Sequence, residues 1–304
     1  MILILVKQIL QMFLLAGIGY LLFKGGKISL EGSKTIGNIL IFASLPAVII
    51  NGFLIERTPE HVSGLLWSAV CSAVLLLVSI LVAQFTFKKD GVGAFATTFA
   101  NPGFFGIPLI VATFGQQAVF YAAPFIGFLN VGQWTYGVSR LNGQPLLQGL
   151  QPKKLINAPF VLAILTGIFL FATQIPLPAI VRSCITTVAG MNTPLAMFTV
   201  GVYLAQTDLA KMIRRAVLYK ISFLRLLLIP AISLLILSLL PASMQEMKTV
   251  LLIVASCPVG SNVAVYAQLH GKDYPYAVET VVISTILSIL TIPFMMYLSS
   301  FLWR

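Results

Sequence analysis

Apolar stretches long enough to cross a membrane recur along the whole chain, and short polar stretches separate them. A helix needs about 20 mostly apolar residues to cross the roughly 30 Å of hydrocarbon in a bilayer. The pattern therefore predicts an all-α integral membrane protein with ten transmembrane helices. The predicted spans are 3–23, 35–55, 64–87, 92–114, 118–140, 157–174, 179–205, 216–239, 248–269 and 274–300.

The composition supports the same class. Hydrophobic residues make up 59% of the 304 residues, and charged residues only 9%. Soluble domains are usually about 25% charged, so water is not the solvent for most of this surface. No polar stretch is long enough for a separate soluble domain, and we expect one transmembrane domain over residues 1–304.

The formal net charge of +11 comes mainly from basic residues in short loops between apolar spans. The loops after spans 1, 3, 5, 7 and 9 hold thirteen Lys and Arg, whereas those after spans 2, 4, 6 and 8 hold three. Cytoplasmic loops carry the excess of Lys and Arg in membrane proteins. The odd loops are therefore predicted to be cytoplasmic and both termini extracellular, and the charge does not require a nucleic-acid partner. The thirteen are Lys24, Lys27, Lys34, Lys88, Lys89, Arg140, Lys153, Lys154, Lys211, Arg214, Arg215, Lys220 and Lys272.

Matched prolines indicate an internal repeat. Pro102 and Pro258 are 156 residues apart, Pro46 and Pro194 are 148 apart, and glycines near each pair recur at the same offsets. Spans 1–5 thus correspond to spans 6–10. Because five is an odd number, the two copies enter the membrane from opposite sides, which is typical of secondary transporters. The predicted copies and the loop between them are 1–141, 155–304 and 142–154.

Spans four and nine each carry proline, glycine and asparagine near the middle of a predicted crossing. Proline removes an amide donor and obstructs the preceding turn, and glycine adds backbone freedom, so both helices are expected to break. Backbone groups freed in this way cannot face lipid, so they line a cavity or meet other protein. The candidate binding residues at the breaks are Asn101, Pro102, Gly103, Gly106, Pro258, Gly260, Ser261 and Asn262.

The two breaks are expected to favour an anionic ligand. Each places a half-helix N-terminus, with its unpaired amides and positive dipole end, inside the membrane. The side-chain amides of Asn101 and Asn262 can donate hydrogen bonds to a carboxylate without carrying charge. Two alternatives stay open: each Asn caps its own half-helix, or the prolines only kink their helices.

Ionisable residues inside the predicted spans are a further hypothesis of function, because charges there are costly. Arg225 lies well inside span eight, and Glu279 lies about two turns into span ten. We expect either an ion pair between them or a proton-coupling carboxylate beside an arginine. The alternative is that Arg225 extends to the cytoplasmic headgroups and Glu279 lies at the interface. Gln84, Asn130 and Gln133 are weaker candidates, expected to form hydrogen bonds between helices.

Residues 101–109 read Asn-Pro-Gly-Phe-Phe-Gly-Ile-Pro-Leu, which resembles the N-x-x-x-x-G-I-P-L signature of the auxin efflux carrier family. The family includes plant PIN-FORMED carriers and bacterial malate and malonate permeases, and the resemblance covers nearly all of the chain. Weaker similarities to the second, seventh, eighth and ninth spans of the family lie at Asn38 with 42–46, at 193–197 with Gly201, at 225–227 with Pro230, and at 258–260.

The resemblance implies a fold and a mechanism. Helices four and nine would cross at their breaks. Spans 1, 2, 6 and 7 would form a scaffold, and spans 3–5 and 8–10 a transport unit that moves like an elevator. Asn101 would contact the carboxylate of an organic anion. The chain departs from the plant pattern, since its proline follows Asn101, Val263 replaces a second proline, and the central loop is short. The resemblance therefore implies a small carboxylate rather than auxin.

The sequence as a whole favours a secondary active transporter of small organic anions. A channel or a membrane sensor is the alternative. An intramembrane enzyme is least favoured, because no pair of Asp, or of Ser with His, lies mid-span. No Cys/His cluster predicts a metal site, and we expect no cofactor. The expected partners are the substrate anion and the lipid bilayer, with a homodimer left open. Compact loops favour a bacterial plasma membrane by analogy.

Overall fold

The computed structural model describes residues 1–144 and 158–303, and the regular structure within these ranges is helical. The predicted loop beyond residue 144, with Lys153 and Lys154, the predicted start of the second copy at 155, and Arg304 lie outside the described residues. The helices of eight or more residues are α1 (Ile2–Lys24), α2 (Leu30–Phe53), α3 (Pro59–Thr86), α4 (Gly91–Thr98), α5 (Pro102–Phe114), α6 (119–142), α7 (Pro159–Thr173), α8 (Ala179–Gln206), α9 (Ala216–Leu237), α10 (Gln245–Ala255), α11 (Asn262–Leu269) and α12 (Tyr274–Leu302).

Six helices of the described part are long and apolar enough to cross a membrane: α1, α2, α3, α8, α9 and α12. Two further apolar helices, α5 and α7, are shorter. The prediction of an all-helical integral membrane protein is therefore confirmed. The count of ten crossings and the inverted repeat stay predictions. Predicted spans four, six and nine fall on shorter or broken helices, and span five falls on α6, which is not among the six helices of the described part that are long and apolar enough.

Two of the long helices widen just before a proline. A π-helical turn occupies Leu40–Ser44 of α2, shortly before Pro46, and another occupies Leu224–Leu228 of α9, shortly before Pro230. A proline ring obstructs the carbonyl four residues earlier and offers it no amide hydrogen bond. In both helices that carbonyl lies within the wider turn, so the chain absorbs the proline without ending the helix.

Helices α1 and α8, one from each half of the chain, pack with their backbones close together. A Cβ atom on Gly201 would lie 2.0 Å from the Ala16 carbonyl oxygen, and one on Gly19 would lie 2.6 Å from the Phe198 carbonyl oxygen. Small residues permit such close packing where no hydrophobic force drives helices together in lipid. Helix α2 packs against α7 and α8, so α1, α2, α7 and α8 form one group.

The remaining helices form a second group. Helix α3 packs on α4 and α6, α10 packs on α6, and α9 and α11 pack on α12. The two groups meet where α1 contacts α5 and α12, and where α2 contacts α6. The second group contains both broken helices, and the break in each lies at this shared boundary.

Two broken helices each consist of a pair of half-helices: α4 and α5, separated by residues 99–101, and α10 and α11, separated by residues 256–261. These two connecting segments cross each other, and we call them the crossover. The amide of Asn101 donates to the Pro258 carbonyl at 2.9 Å, and the amide of Gly260 donates to the Phe99 carbonyl at 2.8 Å. These bonds form one short antiparallel bridge. A Cβ atom on Gly260 would lie 2.7 Å from the Ala100 carbonyl oxygen, so glycine is required there. The extended segments thus satisfy each other's backbone.

Arg225 of α9 lies behind the crossover and is fully buried. Its guanidinium donates to the carbonyls of Thr97 and Thr98, at 3.4 and 3.1 Å, and to the carbonyl of Ala255. These carbonyls belong to the C-terminal ends of α4 and α10, which carry partial negative charge. The alternative that Arg225 extends to the headgroups is wrong, because its side chain is used inside the protein to hold two half-helix ends.

We predict that Gly201→Ala lowers the free energy of unfolding by about 1–3 kcal/mol, because the added methyl group cannot fit against α1. Thermal melting of the purified protein in detergent measures the effect. Gly17→Ala is the matched control, since a Cβ atom there meets nothing within 4 Å. Equal melting temperatures for Gly201→Ala and the wild type would contradict the observed packing.

We also predict that Arg225→Met lowers the free energy of unfolding by roughly 3 kcal/mol, because it leaves buried carbonyls without donors. The free energy of unfolding of Arg225→Lys should lie between those of the wild type and Arg225→Met. An ammonium group keeps the charge but lacks the planar guanidinium that reaches both half-helices. Melting in detergent again provides the measurement, with exposed Arg214→Met as the control. A normal melting temperature for Arg225→Met would remove this residue from the architecture of the crossover.

Candidate functional site

A small cavity of about 70 Å³ lies at the crossover, beside the N-terminal ends of α5 and α11. This is well below the roughly 300–1,000 Å³ of pockets that enclose drug-sized ligands. Two of the predicted site residues, Gly106 and Pro258, do not line it. Gly106 packs against Cys257, where a Cβ atom would lie 3.0 Å from the sulfur, and the Pro258 carbonyl accepts the Asn101 amide. The predicted site residues that line it are Asn101, Pro102, Gly103, Gly260, Ser261 and Asn262.

Asn101 has one side-chain atom engaged and one without a partner. Its Oδ1 accepts a hydrogen bond from the Phe104 amide at 3.4 Å and so caps α5. Its Nδ2 is buried and has no hydrogen-bond partner. Both readings of Asn101 from the sequence therefore fit the geometry: the oxygen caps the half-helix while the amide group is available to a ligand.

Gln133 of α6 repeats this arrangement. Its side chain is 1% exposed and lines the same cavity. Its Oε1 accepts from Asn262 Nδ2 at 2.8 Å, while its own Nε2 is buried without a partner. The expected hydrogen bond between helices is present. The sequence analysis did not predict, however, that Gln133 also lines the candidate binding cavity. The one feature of the sequence that pointed to Gln133 was a polar side chain inside a mostly apolar predicted span.

Asn262 contributes differently from Asn101. Its Nδ2 is the donor to Gln133, so this amide is already used within the protein. The bond joins the first residue of α11 to the middle of α6. Asn262 thus fixes the position of Gln133, and Asn101 and Gln133 each have a buried side-chain amide group without a partner.

The electrostatics of the cavity are positive without a charged side chain. None of the described residues that line it is ionisable near neutral pH, and its polar side chains are neutral amides and one hydroxyl. The N-terminal ends of α5 and α11 contribute positive partial charge. The opposite partial charge, at the ends of α4 and α10, is compensated by Arg225. The arrangement suits an anion small enough to shed most of its water.

Glu279 does not pair with Arg225. Its Oε2 accepts from Arg215 at 2.5 Å, and the Arg215 guanidinium lies 4.9 Å above the Tyr276 ring. The Tyr276 hydroxyl donates to Asp90 at 2.8 Å, so the group links the starts of α9 and α12 to the residue that caps α4. Of the two pairing hypotheses, the direct Arg225–Glu279 ion pair is therefore absent from the structure.

A larger cavity of about 510 Å³ adjoins the small one, and we call it the vestibule. Its wall includes the first residue of α2, the last residues of α8 and α11, and the first residue of α12. These helix ends lie on the face that the charge pattern predicts to be cytoplasmic. The residues that both cavities share are Ile41, Phe104, Ser261 and Asn262.

Comparison with known proteins agrees with this architecture. A family model described as "Membrane transport protein" matches residues 4–296. A protein of Rhizobium meliloti (strain 1021) named "Putative malonate transporter" is 24% identical over 306 residues, which cover 95% of this chain and 94% of the relative. The chain is therefore a member of the membrane transport protein family, the auxin efflux carrier family that its fourth-span signature resembles, and a transporter rather than an enzyme.

Proposed function

We propose that this protein is a secondary active transporter of small organic anions, with a carboxylate bound in the small cavity. The observation that carries the proposal is the pair of buried amide groups without partners, Asn101 Nδ2 and Gln133 Nε2. An unsatisfied buried donor costs about 1–3 kcal/mol. A carboxylate oxygen accepts from such donors, and bonds to an ionised acceptor are about twice as strong as neutral ones.

The relative's name supports a short dicarboxylate as substrate. Malonate is the substrate class in the name of the Rhizobium meliloti protein. The small cavity admits one carboxylate group, and the vestibule that adjoins it leaves room for the remainder of such a molecule. We therefore place malonate and its close analogues first among the acids to be tested.

The proposed mechanism is elevator-type alternating access in a ten-helix, 5+5 inverted repeat. The division of the helices into two packed groups supports it, because the group with α3–α6 and α9–α12 carries the whole crossover. That group would move against α1, α2, α7 and α8 with its cavity intact. We propose that both termini lie outside, on the charge pattern of the loops. By analogy, the compact loops favour a bacterial plasma membrane.

A channel or a membrane sensor remains the second candidate. The small cavity is closed in by the crossover, whereas a channel needs a continuous water-filled path. A sensor of organic anions would use the same donors without moving its ligand across the membrane. Binding without uptake distinguishes a sensor from a transporter, and uptake that does not saturate identifies a channel.

We predict that Asn101→Asp and Gln133→Glu each abolish uptake while the protein stays folded. The side-chain oxygen that each variant keeps can still accept the Phe104 amide in the first variant, and Asn262 Nδ2 in the second. Each change replaces an unpartnered donor by negative charge, which repels a carboxylate. Uptake into proteoliposomes and melting in detergent are measured together. Uptake at the wild-type rate by either variant would contradict the assignment of that donor.

The function itself is tested with a panel of radiolabelled acids: malonate, malate, lactate, citrate and an indole acid. We expect saturable uptake of at least one short carboxylate by wild-type proteoliposomes, and a response to an imposed proton or sodium gradient that identifies the coupling ion. The Gly17→Ala protein provides a control for reconstitution. Failure of folded wild-type protein to take up any acid would overturn the proposed carboxylate transport.

A further inference from the structure

One face of α2 runs from the mouth of the vestibule to the small cavity. Lys34, Asn38 and Ile41 line the vestibule at helical spacing, and Ile41 and Leu45 line the small cavity. With a rise of 1.5 Å per residue, Lys34 and Ile41 are about 10 Å apart along the helix axis. A ligand that reaches the small cavity from this side therefore passes close to Lys34.

Lys34 is the one charged side chain in the vestibule wall, among the residues that the structure describes. The polar side chains around it are uncharged, such as Asn38, Gln206 and Gln268. Glu31, one helical turn away, forms no ion pair with it, since the described salt bridges join other residues. The Lys34 residue is exposed, and none of the described residues in the wall is an acid that could compensate its charge.

We infer that the vestibule is a second anion subsite, in which Lys34 attracts the substrate at the mouth and holds it before the small cavity. The inference rests on the proposed function, because it concerns the same ligand path. It adds a substrate preference that the small cavity does not provide. Attraction to Lys34 grows with the charge of the ligand, so dianions are favoured over monoanions.

The expected size of the effect follows from Coulomb's law. At about 10 Å in water, one ammonium charge changes the affinity for a monoanion about two-fold and for a dianion about four-fold. Salt screens this attraction: the Debye length is about 30 Å at 0.01 M and about 8 Å at 0.15 M ionic strength. The preference for dianions should therefore fade as salt is added.

The first test compares Lys34→Gln with the wild type in proteoliposomes, with substrate added from the vestibule side. At about 0.01 M salt, we expect KM to rise about four-fold for malonate and about two-fold for lactate or acetate. At about 0.15 M salt the differences should shrink. Lys27→Gln is the control, because Lys27 is an exposed cation just before α2 that does not line the vestibule.

The second test measures the potential of the vestibule without relying on transport. Gln206→Cys places a thiol in the vestibule wall, in a background where exposed Cys184 is replaced by Ser and buried Cys71 and Cys257 remain. The rates of labelling by an anionic and a cationic methanethiosulfonate are compared. Lys34→Gln should lower the anionic-to-cationic rate ratio about four-fold at low salt, since each reagent changes about two-fold in opposite directions.

The two tests separate the failure of each idea. A lower labelling ratio in Lys34→Gln with no uptake of any acid would reject the proposed transport and leave the anion subsite in place. An unchanged labelling ratio would overturn the subsite, whatever the protein transports. A KM change in Lys34→Gln that Lys27→Gln reproduces would also overturn it, because the effect would then belong to the surface charge of the loop.

Discussion

Helix ends that lie inside a protein need partners for their carbonyls, and Arg225 provides them for two half-helices at once. Its guanidinium binds the ends of α4 and α10, where Thr98 and Ala255 would otherwise present unpaired acceptors. The crossover stays closed because these ends are held together. With the negative ends compensated, the positive N-terminal ends of α5 and α11 dominate the small cavity. A buried cation thus affects the electrostatics of a cavity whose wall it does not reach.

The broken helices were predictable because the reasons for the breaks are local. Proline and glycine disturb a helix wherever it is placed, so the interruptions near Pro102 and Pro258 could be read directly from the sequence. Six of the eight residues predicted at the breaks line the small cavity. The two exceptions, Gly106 and Pro258, contribute to the packing of the crossover. Gly106 allows close packing against Cys257, and the Pro258 carbonyl accepts the backbone amide of Asn101.

The partners of the polar side chains were not predictable, because they depend on which helices become neighbours. Arg225 and Glu279 are the obvious ion pair in the sequence, yet Glu279 binds Arg215 and Arg225 binds carbonyls. Gln133 looked like an ordinary contact between helices. Only the fold shows that Gln133 lines the cavity, that its oxygen is used by Asn262, and that its amide nitrogen is buried without a partner.

The bond between Asn262 and Gln133 makes the two sides of the small cavity chemically unequal. An asparagine lies at the N-terminal end of both α5 and α11, but Asn101 Nδ2 has no partner whereas Asn262 Nδ2 donates to Gln133. Both free donors, on Asn101 and Gln133, come from the first half of the chain. Under the proposed carboxylate binding, a ligand with one acidic end and one different end would therefore have a single preferred orientation in the small cavity.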